Sequence, residues 1–579
     1  MPKIIKQRTV DETVLKELAH LPEVMQRILA ARGIKSAKEV DYQLAHLLPW
    51  NDLLGIQDAV TCLAEALKND LHIVVIADFD VDGATSCALA VRALKEFGVK
   101  RISYLVPNRF TMGYGLTPEI VVLAQQQKAD ILLTVDNGIA SHEGVAAAKS
   151  TGLKVVITDH HLPADTLPNA DAIVNPNQHG DIFSSKSLCG VGVVFYVLLA
   201  LRHHLVQQNA FPNNSAPNMA QFLDLVALGT VADLVSLDYN NRILVSQGLQ
   251  RIRKGQTKPG IKALLTVAAK SLSHLNAADL GFAIAPRLNA AGRLEDMSVG
   301  IECLLTEDAA YAQQIAEELN ALNQQRKSIE REMHSEALTI LNKAAFLKKK
   351  ESAEEVPAGV CLYADNWHVG VIGILASRIK ERVYRPVVCF ANDNETILKG
   401  SARSIPGVHI RDVLDIISKQ YPQLILKFGG HAMAAGLTIK QQDFPLFQQA
   451  FANCVNQFVD QDILSDTLCT DGELSEFTLN FADTINAAGP WGQHFPEPLF
   501  RGKFKVLQKD NLGDKHLRLS LQSSLNSVEA MAFFVSEDML SKRLDEIDIV
   551  YKLSVNEYRN IRRVQLIIEH FVDSTVLSR

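Results

Sequence analysis

Little in this chain points to an oxidising or membrane setting. Its eight cysteines are scattered, with no CxxC pair and no regular spacing. That pattern excludes a zinc knuckle or a disulfide framework and predicts reduced thiols. The opening stretch, MPKIIKQRTV, lacks the apolar core of a secretory signal. The longest apolar run, Val191 to Leu201, is too short to span a bilayer. A cytoplasmic, soluble monomer with no membrane partner is therefore expected. Global basicity is also missing: the net charge is −7, so any contact with nucleic acid must use local patches. What remains is ordinary globular composition, 47% hydrophobic and 21% charged, and 579 residues, enough for roughly three or four domains.

The stretch Leu71 to Ser86, LHIVVIADFDVDGATS, stands out from that background. An unbroken β-branched run closed by a turn signal predicts a strand buried on both faces of a parallel sheet. It ends in Asp78, Asp80 and Asp82, followed by Gly83. In an open α/β sheet, ligands bind beyond the carboxyl ends of such strands, and clustered carboxylates need a cation to offset their repulsion. Taken singly, Asp82 reads as the N-cap of a helix from Ala84 to Phe97 and the others as solvated. Two further apolar strands repeat the theme. Ala129 to Val135 ends at Asp136, and Lys154 to Thr158 ends at Asp159, His160 and His161. Asp233, after the apolar segment Phe222 to Ala232, makes a weaker fourth contribution because that segment also reads as a helix. Oxygen ligands with one or two imidazoles suit Mn²⁺ or Mg²⁺ better than structural zinc. Their number fits two ions, which can clamp a phosphate and activate water. After a strand at Arg101 to Val106, the loop from Pro107 to Gly115 holds Arg109 and Tyr114. It reads equally as a phosphate contact through Arg109 or as a plain turn.

The segments DFDVDGATS (78–86), TVDNGI (134–139), DHH (159–161) and ALGTVADLV (227–235) resemble the four motifs of the DHH phosphoesterase superfamily. LCGVGVVF (188–195), PRLNAAGR (286–293), WHVGVIGILASR (367–378), GSARS (400–404) and GGHAMAAG (429–436) resemble its single-strand-specific exonuclease branch. The resemblance implies Mn²⁺ or Mg²⁺ as cofactor, attack on single-stranded DNA from the 5′ end, and mononucleotide products. It implies Asp78, Asp80, Asp136, His160 and Asp233 as metal ligands, Asp159 as the group orienting an imidazole, and His161 facing the scissile phosphate. Catalysis is thus expected from Asp80, Asp136, Asp159, His160 and His161. A single-strand-binding protein and a RecQ-type helicase are implied as partners, with DNA repair and recombination as the setting. Two positions depart from the pattern: Ile76 stands where some members carry histidine, and Gly492 to Pro498 reads GQHFPEP where GxGNPEP is expected.

Arg287, Asn289 and Arg293 fall in a Gly/Pro-punctuated segment expected to be a loop that either supports the metal ligands or contacts phosphate. From Glu307 to about Ala345, apolar residues at three-, four- and seven-residue spacing predict one long amphipathic helix joining two lobes. The second lobe is again α/β. Its Gly400-Ser401-Ala402-Arg403-Ser404 and Gly429-Gly430-His431 are expected to be anion-facing loops, with Ser401, Arg403 and His431 as substrate contacts. Short alternating strands beyond Leu464 predict a small barrel, and the resemblance implies an OB-fold. Residues 501–579 hold 13 Lys+Arg against 11 Asp+Glu, and Lys503, Lys505, Arg518, Lys552, Arg559, Arg562 and Arg563, interleaved with Phe500, Tyr551 and Tyr558, can track a single strand. The expected α/β architecture is thus a helical cap (1–45), a parallel-sheet catalytic domain (46–305), a long connecting helix (306–347), a smaller substrate-binding domain (348–460) and an OB-like β-barrel (461–579). Two alternatives stay open: a phosphodiesterase of cyclic dinucleotides or short oligonucleotides, and a non-catalytic single-strand-binding scaffold.

Overall fold

The computed structural model describes residues 3–108, 112–343, 357–460, 462–522, 527–558 and 561–572. Arg8–Asn323 with the described residues from Thr470 to Val572 form one compact unit, and Gln324–Cys469 with the first strand form another. The first residues are not purely helical as expected. Ile4–Gln7 is a strand that pairs with Thr467–Thr470.

In the larger unit five parallel strands make the catalytic sheet. Their order is Ile102–Leu105, Ile73–Ala77, Ile131–Val135, Lys154–Thr158, Ala172–Val174. Alternate residues of Ile73–Ala77 feed separate cores: Ile73, Val75 and Ala77 on one face, Val74 and Ile76 on the other. Burial on both faces is why the run is continuously apolar. The helix Gly190–Gln207 is long and apolar enough for a membrane span, but 67% of it is buried inside the protein, so it serves as a core helix.

The strand-to-helix turn after Ala77 differs from expectation by one cap. The helix runs Val81–Phe97, and the Asp80 carboxylate, not that of Asp82, accepts the Gly83 N–H at 3.0 Å. A Cβ on Gly83 would lie 2.5 Å from the Asp78 carbonyl oxygen, so only glycine permits so tight a turn. With Asp80 capping, Asp82 falls in the first helical turn and is buried.

The C-terminal strands form a closed barrel in the order Phe500–Leu512, His516–Gln522, Ser527–Phe533, Ile561–Phe571, Glu546–Tyr558. The third and fourth in that order are parallel, the others antiparallel, which is the Greek-key closure of an OB-fold. Phe500 and Tyr551 are fully buried, so they fill the barrel instead of stacking on a strand. Arg518 pairs with Asp510 and Arg562 with Asp483. Arg559 lies outside the described residues, as does the side chain of Tyr558.

The amphipathic pattern forms the helix Ala309–Lys343. In the smaller unit a mixed sheet runs Lys427–Gly430, Ala434–Lys440, Ile397–Arg403, Val387–Asn392, Val360–Tyr363. Here two expected loops are strands. Gly400 lies mid-strand because its hydrogen faces the Phe390 ring; a Cβ would come within 2.6 Å of that ring. Gly429 and Gly430 end the edge strand Lys427–Gly430, and His431 begins the turn that follows.

Candidate metal centre

Three parallel strands and one helix end deliver the site. Asp78 and Asp80 follow Ile73–Ala77, Asp136 follows Ile131–Val135, and Asp159 to His161 follow Lys154–Thr158. Asp233 is the C-cap of the helix Leu223–Ala232, so the fourth contribution comes from a helix. His160 Nε2 is 3.1 Å from Asp136 Oδ1, 3.4 Å from Asp233 Oδ2 and 3.9 Å from Asp82 Oδ2. Two groups that share no residue, Asp78/Asp80/Asp136 and Asp82/His160/Asp233, each bring one ligand atom per residue within 4.8 Å of one another. A third group, Asp136/His160/His161, links them.

Asp82 is the residue missing from the expected ligand set. Its carboxylate accepts the backbone N–H groups of Gly190 at 2.6 Å and Val191 at 2.9 Å. These open the helix Gly190–Gln207, whose N-terminal dipole favours a carboxylate there. Close approach needs glycine twice. A Cβ on Gly190 would lie 2.6 Å from Asp136, and one on Gly229 would lie 2.9 Å from Asp82 Oδ1. The alternate spacing of Asp78, Asp80 and Asp82 was the available signal, but spacing alone assigns the cap to either of two aspartates.

Around this cluster the protein holds each ligand in place. The Asp159 carboxylate accepts the N–H groups of Ile139, His160 and His161, and His161 Nδ1 lies 2.7 Å from it. This leaves His161 Nε2 outward, 3.5 Å from the Tyr114 hydroxyl, which donates to the Asp136 carbonyl at 3.2 Å. Asn137 donates to the carbonyls of Ile76 and Val135. Ile76 itself is fully buried in the core, so its position supplies no imidazole and the Asp78/Asp80/Asp136 group is all carboxylate.

Electrostatics follow from this crowding. Burial and then the neighbouring Asp233 charge push Asp82 up to about 7. Burial and Asp80 push Asp233 to about 8, and burial with Asp82 and Asp80 raises Asp136 well above the carboxylate range. Burial holds His160 below its ordinary value. Burial also disfavours charge on His161, but its hydrogen bond to Asp159 and that carboxylate's charge raise it to about 9. Asp136 Oδ1 and His160 Nε2 are buried without a hydrogen-bond partner although they face one another. Buried carboxylates in this state are incomplete without a cation. Oxygen donors with one ring nitrogen fit hard divalent ions.

The expected substrate residues divide. Tyr114 sits in the cluster, whereas Arg109 lies outside the described residues. Arg287, Asn289 and Arg293 lie on the helix Ala285–Leu294, not on a loop, because Pro286 opens a helical turn there. Arg287 bonds Asn320 Oδ1 at 3.0 Å and the Ala283 carbonyl at 2.5 Å, so its fork is engaged within the fold. A Cβ on Gly292 would lie 2.1 Å from the Phe79 carbonyl oxygen, which places Arg293 next to the acidic turn. Ser401 and Arg403 occupy the half-exposed face of their strand, with Arg403 donating to Ser401 Oγ at 3.1 Å. A Cβ on Gly373, in the first turn of the helix Ile372–Val383, would lie 2.9 Å from Arg403 Nη2. The Ser401 hydroxyl, the Arg403 guanidinium and the start of that helix thus share one patch.

A doubly covered parallel sheet with carboxylates and a DHH triplet at its strand ends defines the DHH class of α/β proteins. Family profiles match accordingly: "DHH family, N-terminal domain" over residues 72–230, "DHHA1 domain" over 357–457 and "RecJ OB domain" over 470–570. The chain is 49% identical to the single-stranded-DNA-specific exonuclease RecJ of Escherichia coli (strain K12) over 98% of both chains. It is 46% identical to that of Haemophilus influenzae over 98% of this chain and 99% of the relative. A crystal structure of RecJ from Thermus thermophilus in complex with Mn²⁺ superposes with a TM-score of 0.80 at 28% identity, covering 98% of this chain and 79% of that one. The chain belongs to the RecJ family of single-stranded-DNA-specific exonucleases.

Proposed function

We infer that this chain is a divalent-metal-dependent exonuclease that hydrolyses single-stranded DNA from the 5′ end to mononucleotides. The observation that carries the reading is the pair of separate three-ligand groups, Asp78/Asp80/Asp136 and Asp82/His160/Asp233, in a chain of the RecJ family. Relatives of known structure hold Mn²⁺ or Mg²⁺, and the donors here suit the same two ions. Bound there, such ions supply Lewis-acid polarisation of the phosphate and a water of lowered pKa. His161, charged at neutral pH and fixed by Asp159, presents an Nε2 proton to the phosphate oxygens. In this reading Asp80 acts at the scissile phosphate, and Ser401 and Arg403 hold the strand or its 5′ end. The closed barrel favours a polymeric substrate over a cyclic dinucleotide, and the intact acidic cluster disfavours a non-catalytic scaffold. A cytoplasmic monomer that works in repair and recombination, with a single-strand-binding protein and a RecQ-type helicase as partners, completes the reading.

Digestion of 5′-labelled strands tests it directly. Labelled mononucleotide should appear with Mn²⁺ and not with EDTA, and blunt duplex should be cut far more slowly. Turnover in excess EDTA, or equal rates on duplex and single strands, contradicts the proposal. Arg403→Ala should weaken single-strand binding by about tenfold to a hundredfold, because one charge-assisted phosphate bond contributes roughly 1.5–3 kcal/mol. Unchanged affinity with lost cleavage would instead assign that patch to the chemistry.

Metal binding should also be visible in stability. Asp82 and Asp233 titrate at about 7 and about 8, above the ordinary carboxyl value of 3.8. Their contribution to the metal-free fold is therefore whole below about pH 4 and lost as pH rises through 7 to 8. A cation must displace those protons, so Mn²⁺ should raise the melting temperature more at about pH 8.5 than at about pH 6. Thermal melts at the two pH values check this; an equal gain at both would contradict it.

A further inference from the structure

Next to the metal centre the chain presents two apolar side chains to solvent. Leu280–Ile284 form a π-helix, a conformation found mostly as single turns at functional sites. This turn packs on the helix Leu223–Ala232, which ends at Asp233. A Cβ on Gly281 would stand 3.3 Å from Val231 Cγ1. The helix that follows sets Gly292 against the Phe79 carbonyl, between Asp78 and Asp80. Leu280, Ala283 and Ile284 are buried, but Phe282 is 84% exposed, the highest fraction among the large hydrophobics described. At the end of the helix Leu223–Ala232, Leu234 directly follows Asp233, has φ +59° and is 68% exposed. Left-handed backbone is unfavourable for a residue with a Cβ, and such strain clusters at ligand sites. Two unusual backbone conformations thus lie at the helix end that carries Asp233, and neither Phe282 nor Leu234 contributes to the core.

We propose that Phe282, with Leu234 beside Asp233, is a stacking platform for a nucleobase of the strand whose phosphate is held at the metal centre. The inference rests on the exonuclease reading and adds a positioning residue to it. A ring open to solvent at a phosphate site matches the π-face that every base carries, so it accepts any sequence. A base stacked there fixes one nucleotide while the carboxylates and His161 act on its phosphate. The ring belongs to none of the candidate ligand groups, so it governs binding more than turnover.

Single-turnover cleavage with Mn²⁺ and equilibrium binding in EDTA test this on wild type, Phe282→Ala and Phe282→Trp. The substrates are intact single strands and strands with one abasic position, scanned from the 5′ end. In wild type, an abasic position at one location should raise KM about tenfold, within the range a stacked base contributes. Phe282→Ala should show the same rise on the intact strand, keep its kcat, and be indifferent to that abasic position. Phe282→Trp should restore wild-type behaviour, which a merely structural role would not produce. A wild type that cuts but whose abasic penalty persists in Phe282→Ala overturns the stacking inference alone. A wild type that cuts no strand with Mn²⁺ overturns the nuclease reading, and the stacking inference with it.

Discussion

Asp136→Asn should reduce metal-dependent cleavage by roughly a thousandfold or more, the scale reached when a transition-state electrostatic group is lost. Asp136 belongs to two of the ligand groups, and its Oδ1 is buried without a hydrogen-bond partner. An amide there cannot supply the charge that holds a divalent ion. Asparagine is the informative replacement because Asp136 has φ +63°, a left-handed conformation that Asn tolerates and Ala does not. Burial and the charges of Asp82, Asp80 and Asp78 raise Asp136 in the metal-free protein, so a neutral side chain relieves repulsion. The metal-free variant should consequently melt no lower than wild type. Turnover within tenfold of wild type would remove Asp136 from the metal centre, and a large drop in melting temperature would mean that the fold, not the chemistry, was lost.

Asp82→Asn should lose about one of two bound Mn²⁺ ions and at least a hundredfold in turnover, comparable to other lost transition-state contacts. Asp82 is fully buried at the side chain and accepts two backbone N–H groups with its two oxygens. An asparagine can accept only one of them and turns its own NH₂ toward the other. Leaving a buried donor unpaired costs about 1–3 kcal/mol, so this variant should also melt lower. The contrast with Asp136→Asn is the point of the pair: one substitution relieves the metal-free fold, the other strains it. Calorimetric titration with Mn²⁺ and melting curves on both variants measure the difference. If Asp82→Asn binds two ions and turns over normally, Asp82 serves only to hold the start of the helix Gly190–Gln207.

The catalytic sheet was legible because its signals are local. Strands buried on both faces need continuous apolar runs, and a strand that stops must show its turn in the next few residues. Hence Asp78, Asp136 and the Asp159–His161 triplet could be found from where apolar runs end. The long helix and the barrel strands were legible for the same reason, since their periods of 3.6 and 2 are written in consecutive residues. Glycine misled in the smaller unit. The sequence shows that Gly400 lacks a side chain but not why, and the reason is the Phe390 ring across the sheet. Likewise Pro286 and Gly292 suggested a loop, while packing of Gly292 on Phe79 demands a helix of close approach. Phe500 and Tyr551, legible as aromatics among basic residues, are inside the barrel because their strands' inward face is set by closure.

By itself, then, the sequence determined the α/β class, the residues that end three strands and the kind of ion they suit. Only the tertiary structure decided how those residues divide between two candidate ligand groups, that Asp82 falls in one of them, and that Arg287 is engaged within the fold. The physical reason is range. Hydrophobic period, turn residues and ligand chemistry are properties of neighbours along the chain. The partners of Asp82, by contrast, lie about a hundred residues away, at Gly190 and Val191, and the contact exists only once two helices have packed.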